Sequence, residues 1–133
     1  MRLSIIVGVL MSVMLMSCSK TDNTTNWVGI YTGSAGSVIN RVLVTKVDNS
    51  TVKMELQTQV SGTYYTYVTM YNVKISSSTT ANVNENGAIL GYTDTYHFVG
   101  TGALSGTTLT LAGSGTSTTN SSDVKYYAFT GSR

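Results

Sequence analysis

Very few residues in this chain have the type and spacing that catalysis or metal binding requires. His97 is the single histidine, and it stands between Tyr96 and Phe98 in a stretch that alternates like a β-strand. Successive side chains of a strand point to opposite faces, so His97 is predicted to face outward when its aromatic neighbours face a core. Asp94 lies an odd number of residues away and points to the opposite face, which prevents a local dyad or a shared metal ion.

The other polar residues do not fall into a catalytic pattern either. Glu55 alternates with Lys53 and Gln57 and is predicted to be ordinary exterior charge. The serines lack a nucleophile elbow, and the glycine-rich segment 113–115 lacks the strand-to-helix context of a phosphate loop. No Cys/His spacing suits zinc. We therefore predict a protein that is not an enzyme and that uses no metal and no cofactor.

Cys18 is the one residue whose context predicts a covalent modification. Met1-Arg2 gives a positive start, and residues 3–16 form an uncharged apolar run that is too short to span a bilayer. The closing Leu15-Met16-Ser17-Cys18 resembles the lipobox of bacterial lipoproteins, in which the cysteine is acylated and becomes the first residue. The alternative is an ordinary secretory signal with an incidental cysteine.

The resemblance to bacterial lipoproteins implies both a membrane anchor and a cellular location. It implies a signal peptide at 1–17, an acylated Cys18 carrying chains such as palmitate, and a polar tether over 18–25 that leads into a domain at 26–133. Each buried CH₂ of an acyl chain contributes about 0.8 kcal/mol, so two or more chains anchor a protein stably. Ser19 follows the cysteine where an aspartate would favour the inner membrane, so the resemblance points to the outer membrane, on its periplasmic face or at the cell surface.

The composition of the chain indicates which kind of secondary structure holds the polar residues discussed above. The chain has 11% charged residues, a formal net charge of +2 and no proline. So little charge gives no steering toward nucleic acid, and one cysteine excludes an intramolecular disulfide. Tyrosines and β-branched residues recur at spacing two, and no stretch after the signal has a helical period. The clearest alternation sets Val52, Met54 and Leu56 against the polar residues between them.

Turn residues divide this region into eight predicted strands. The strands are 26–33, 38–47, 51–60, 64–75, 79–84, 92–104, 107–111 and beyond, and 124–131. Within 64–75 the inner face is predicted to hold Tyr65, Tyr67, Tyr71, Val73 and Ile75. Short hairpins favour an all-β, antiparallel up-and-down barrel, because eight strands can close and closure removes exposed edges. A β-sandwich is the alternative.

Two segments resemble a known family. Trp27-x-Gly29-x-Tyr31-x-Gly33 looks like the opening strand of the lipocalin-like small lipoproteins of Bacteroidetes, and residues 102–111 are similar to the hairpin near the end of those domains. The Gly-x-Trp signature of lipocalins proper is absent. The resemblance implies a lipocalin-like fold, and it does not imply a ligand.

An up-and-down barrel also predicts where a binding site would lie. The connections near residues 33–37, 61–63, 85–91 and 114–122 share one end, and their greater length makes that end the predicted mouth. Trp27 is predicted to plug the other end, where the tether enters. Tyrosine combines an apolar ring with a polar tip, which suits a binding rim. The predicted ligand-binding residues are Tyr31, Tyr65, Tyr67, Tyr92, Tyr96 and Tyr127, although tyrosine could simply fill a small barrel.

These features predict a lipid-anchored, non-enzymatic binding or accessory module of the cell envelope. In one version the barrel holds a small apolar or amphipathic ligand. In the other the barrel is filled and binds a protein or glycan through its distal loops. An enzyme or an enzyme inhibitor is the remaining class. An open apolar interior would favour a carrier, and a packed interior would favour surface binding.

Overall fold

The structure, a computed structural model, describes residues 20–33 and 37–133, so the predicted signal peptide at 1–17 and Cys18 lie outside the described residues. Eight antiparallel strands follow one another around a closed barrel. They are β1 (Gly29–Gly33), β2 (Arg41–Asp48), β3 (Thr51–Val60), β4 (Thr63–Ile75), β5 (Thr80–Ala88), β6 (Thr95–Ser105), β7 (Thr108–Ser117) and β8 (Val124–Ser132). Among the described residues there is no helix with the length and apolar character needed to span a membrane.

Pairing of the first strand with the last closes the barrel. β1 pairs with β2 through Gly29 to Thr32, and with β8 through Thr32 opposite Ser132 and Gly33 opposite Gly131. The other neighbouring strands pair in sequence order. The predicted up-and-down barrel is therefore confirmed and the sandwich is excluded.

The strand connections sort to the two ends as predicted. We call the distal end the one that carries the β1–β2, β3–β4, β5–β6 and β7–β8 connections, and the proximal end the other. Asn23 donates its backbone N–H to the Asn49 carbonyl in the β2–β3 turn at 3.0 Å, so the described chain starts at the proximal end. Trp27 is fully buried there and donates its indole N–H to the Ser77 carbonyl at 3.3 Å, which confirms the predicted plug.

The alternation of β3 is confirmed from Val52 to Leu56, but beyond it the prediction is wrong, because Gln57 is buried and Val60, predicted to face inward, is exposed. The alternation of β4 is also partly wrong. Val68 and Met70 are buried against the core, whereas Tyr71, predicted to face inward, is 58% exposed. The β3–β4 register shifts between Val52 and Met54 and again between Leu56 and Gln57. A bulge places two residues of one strand opposite one of its partner, so the alternation read from the sequence fails across it.

The barrel interior is narrow, and glycines on its wall make room for aromatic rings. A Cβ added at Gly115 would lie 2.6 Å from the Phe98 ring, and one added at Gly87, on the other side of that ring, would lie 3.1 Å from it. Cβ atoms added at Gly100 and Gly113 would both meet the hydroxyl end of Tyr127. Glycines therefore leave space for the ring edges and the hydroxyl, and the interior is filled by one hydrophobic cluster.

A charged side chain bridges the least regular part of the sheet. β4 and β5 pair regularly only through Lys74 and Ile75, next to the proximal turn. Farther along, the Glu85 carboxylate accepts the backbone N–H groups of Tyr71 and Asn72, both at 2.9 Å. A side chain from β5 thus satisfies the β4 donors that a regular ladder would have paired.

Candidate binding surface at the distal end

Three of the six tyrosines predicted to bind a ligand lie inside the packed barrel. Tyr31 is fully buried, and its hydroxyl donates to the Trp27 carbonyl at 2.9 Å, toward the proximal end. Tyr96 and Tyr127 are at most 6% exposed. Both rings contact Phe98: the Tyr96 ring is tilted by 36° with centroids 6.4 Å apart, and the Tyr127 ring meets it edge-on at 66° with centroids 6.2 Å apart. Tyr31 and Tyr127 are predicted at the rim, and the structure places their rings in the core. Tyr96 is buried beside His97, as the alternation predicts, and it is not free to bind a ligand.

The buried hydroxyls are held in their neutral form. The hydrogen bond from Tyr96 to the Asp123 carboxylate, 2.7 Å long, and then burial raise the pKa of Tyr96 to about 12. Burial, with a smaller contribution from the Glu85 charge, raises the pKa of Tyr127 to about 12. Burial also raises the pKa of Tyr31. All three hydroxyls donate hydrogen bonds within the protein: Tyr31 to the Trp27 carbonyl, Tyr96 to the Asp123 carboxylate and Tyr127 to the Val99 carbonyl.

The other three predicted tyrosines lie where a partner can reach them. Tyr65 and Tyr92 are about half exposed, at 49% and 46%. Tyr67 is partly buried and packs against the core. Tyr67 and Tyr92 line a cleft of about 440 Å³ between β4 and the β5–β6 connection, with Ile89 and Leu90. Exposed Leu90 and Val60 add apolar surface at this end. We call this group (Val60, Tyr65, Tyr67, Leu90 and Tyr92) the distal rim.

A polar network stiffens the loops beside the distal rim. Asp94 accepts hydrogen bonds from the hydroxyls of Ser117 at 2.7 Å and Thr119 at 2.9 Å, which joins the β5–β6 and β7–β8 connections. Lys125 pairs with Asp123 and lies over the Tyr92 ring, 4.7 Å from its centroid. Hydrogen bonds from Lys125 and then from Tyr96 lower the pKa of Asp123. These contacts hold the rim while Tyr92 stays 46% exposed.

The groups that could do chemistry are apart and engaged. His97 is exposed, as predicted, and its Nδ1 is 2.8 Å from the Asn86 side-chain oxygen on the outer surface. Asp94 is committed to its hydroxyl partners at the distal end. Within residues 20–33 and 37–133, no three side chains of His, Cys, Asp or Glu are grouped so that they could hold a metal ion.

A further exposed aromatic residue is not among the six tyrosines predicted to bind a ligand. Tyr126 is 85% exposed on the outer face of β8, next to buried Tyr127. It stands beside a shallow groove of about 600 Å³ on the outer face of β7 and β8. Alternation along a strand predicts that one residue of the pair Tyr126-Tyr127 faces outward. Which small residues lie beside the outward ring is seen only from the register between β7 and β8.

Comparison of the chain with protein-family models, with curated proteins and with solved structures found no match. The function is therefore inferred from the geometry of the barrel and from the sequence that precedes it.

Proposed function

We propose that this protein is a lipid-anchored, non-enzymatic binding module of the cell envelope, with a lipocalin-like barrel that binds through its surface. The observation that carries the proposal is the filled interior. Trp27 and Tyr31 are fully buried, and Phe98 is 1% exposed. Inward side chains from all eight strands join in one hydrophobic cluster. A carrier needs an enclosed cavity that takes up most of its ligand, and packed side chains occupy that place here.

The distal rim supports the choice of partner surface. Strand β4 presents Tyr65 and Tyr67, and the β5–β6 connection, joined to the β7–β8 connection by the hydrogen bonds of Asp94, presents Tyr92. Little conformational entropy is therefore lost when a partner binds. Partly exposed tyrosine is typical of protein and glycan contacts, because its ring packs while its hydroxyl stays hydrated. The proposed partner is a protein or a glycan.

The proposed anchor fits the direction in which the chain enters the barrel. Residues before β1 run along the proximal end, where Asn23 bonds to Asn49 and Asp22 pairs with Lys46. Acyl chains on Cys18, two residues before Lys20, would hold this end near the membrane and turn the distal rim away from it. The proposed location is the outer membrane.

Two measurements test the surface-binding proposal. Native mass spectrometry of the purified protein is expected to show the polypeptide with its acyl chains and no further small molecule. Combined replacement of Tyr65, Tyr67 and Tyr92 by alanine is expected to abolish photo-crosslinking from a probe placed at residue 90, with the far-ultraviolet spectrum unchanged. A stoichiometric apolar ligand, or crosslinking that survives the triple replacement, would refute binding through the rim.

The anchor is tested separately with Cys18→Ser. The wild-type protein is expected to incorporate an alkyne-tagged palmitate analogue and to fractionate with outer membranes. The Cys18→Ser variant is expected to lose both properties. Membrane association that persists without label would overturn the anchor and leave the binding surface untouched.

A further inference from the structure

The outer surface of the barrel is divided into a charged half and an uncharged half. Side chains that point outward from β2, β3 and β4 include Arg41, Lys53, Glu55 and Lys74. Those that point outward from β5 to β8 include no Lys, Arg, Asp or Glu. They are mostly Thr, Ser, Asn and Ala. We call this outer face of β5–β8 the neutral wall. These four neighbouring strands therefore form one continuous outer surface without a charged side chain.

A groove in the neutral wall is built around the exposed ring of Tyr126. The pairs Ser114–Tyr126 and Ala112–Ala128 lie side by side in the β7–β8 register. The short side chains of Ala112, Ser114 and Ala128 form the floor of the groove, which has a volume of about 600 Å³. The Tyr126 ring borders this floor. Val99, 43% exposed, pairs with Ser114 on the other side and extends the apolar strip.

Uncharged hydrogen-bonding groups surround this apolar strip. Thr110 lies opposite Thr130, and Thr101 lies opposite Ala112, and all three threonines are exposed. On β5 the outward positions continue with exposed asparagines at 82, 84 and 86. Strands of nine to eleven residues make the wall about 30 Å long, and four strands make it about 15 Å wide. The wall therefore offers hydroxyls and amides along the strands of a convex outer surface.

We propose that the neutral wall is the binding site of an uncharged oligosaccharide, with Tyr126 as its stacking platform. The proposal rests on the proposed surface-binding function, but it assigns a second binding surface, separate from the distal rim, and a ligand class for that surface. A sugar ring presents C–H groups on its faces and hydroxyls around its edge, so it needs an aromatic surface bordered by neutral hydrogen-bonding groups. An acidic polysaccharide or a nucleic acid would require lysine or arginine to neutralise it. An extended glycan also needs an open groove rather than an enclosed pocket.

The test uses the acylated full-length protein in detergent and neutral hexasaccharides as probes: glucan, mannan, xylan and N-acetylglucosamine oligomers, with oligogalacturonate as the acidic probe. Affinity is measured by isothermal titration. The wild-type protein is expected to bind at least one neutral probe and not the acidic one. Tyr126→Ala is expected to weaken binding about tenfold or more, the effect of losing about 1.4 kcal/mol of contact. Ala128→Glu, which puts a charge on the groove floor, is expected to weaken it similarly.

Tyr71→Ala is the matched control, because Tyr71 is also an exposed tyrosine but lies on the charged half. It is expected to change affinity less than about twofold, and all variants must keep the wild-type circular dichroism. Several outcomes would overturn the proposal: no neutral probe bound at millimolar concentration, affinity unchanged in Tyr126→Ala, or preference for the acidic probe. A dimer in light scattering that Ala128→Glu dissociates would make a second copy of the chain the occupant, and would also overturn it.

The outcomes separate this proposal from the function on which it rests. If the neutral wall binds no glycan while the triple replacement at the distal rim still abolishes crosslinking, the surface-binding function stands and only the wall is rejected. If both the wall and the rim variants behave like the wild type, the binding function itself fails.

Discussion

The contact between Gly115 and Phe98 gives a quantitative test of how the barrel is packed. In Gly115→Ala the new Cβ would lie 2.6 and 2.8 Å from two atoms of the Phe98 ring, about 1 Å closer than carbon atoms normally pack. The ring cannot retreat freely, because the backbone at Gly87 lies against it on the far side. Overpacking of this kind costs about 1–3 kcal/mol of folding free energy. Alanine also restricts the unfolded chain more than glycine does, which stabilises the folded state by only about 0.4–1 kcal/mol. We expect a net loss of about 1–2 kcal/mol.

A double-mutant cycle isolates the cause. In a Phe98→Leu background the ring edge is gone, so adding a methyl group at position 115 should be close to neutral. The coupling free energy between the two substitutions is then expected to be about 1–2 kcal/mol. Stability is measured by urea denaturation, followed by the fluorescence of buried Trp27, the single tryptophan. Ser114→Ala, which points outward from the same strand, is the control and should change stability by less than about 0.5 kcal/mol.

The reasoning is refuted if Gly115→Ala costs the same in both backgrounds. That result would mean that the Phe98 ring does not limit the space at Gly115, and that the glycine serves the strand for another reason. A change of denaturant slope would instead indicate a change in the compactness of the unfolded state or loss of two-state behaviour.

Three further predictions test the Trp27 plug, the hydrogen bonds of Glu85 to strand β4, and the buried hydroxyl of Tyr127. Trp27→Ala should cost about 3–5 kcal/mol in thermal or urea unfolding, because a fully buried ring leaves a cavity; a loss below about 1 kcal/mol would exclude the plug. Glu85→Ala should expose the amides of Tyr71 and Asn72, and faster hydrogen exchange at those two amides, with little change elsewhere, is the expected result. Tyr127 keeps its proton to about pH 12 when folded but loses it near pH 10 when unfolded, so stability should fall as pH rises from 10 to 12. The fall should be smaller in Tyr127→Phe, and an unchanged fall would show that this hydroxyl is accessible to solvent.

The sequence alone determined the strand order, the sorting of connections to the two ends, the plug at Trp27 and the outward position of His97. These features follow from local rules. Alternation at spacing two assigns a face, turn residues mark hairpins, and an even number of hairpin-joined strands fixes which loops share an end. Strand β3 shows this best, since the bounds Thr51–Val60 were read from the sequence without change.

Only the tertiary structure decided which tyrosines fill the barrel and which face solvent. A bulge cannot be read from one strand, because it depends on the partner's register, and two register shifts moved Tyr71 to the surface and left Met70 in the core. The roles of glycines 87 and 115 likewise required the ring of Phe98, which comes from a third strand. Four strands had to lie side by side before the neutral wall around Tyr126 could be recognised. Closure of the sheet brings these distant positions together, and alternation within one strand carries no information about its neighbours.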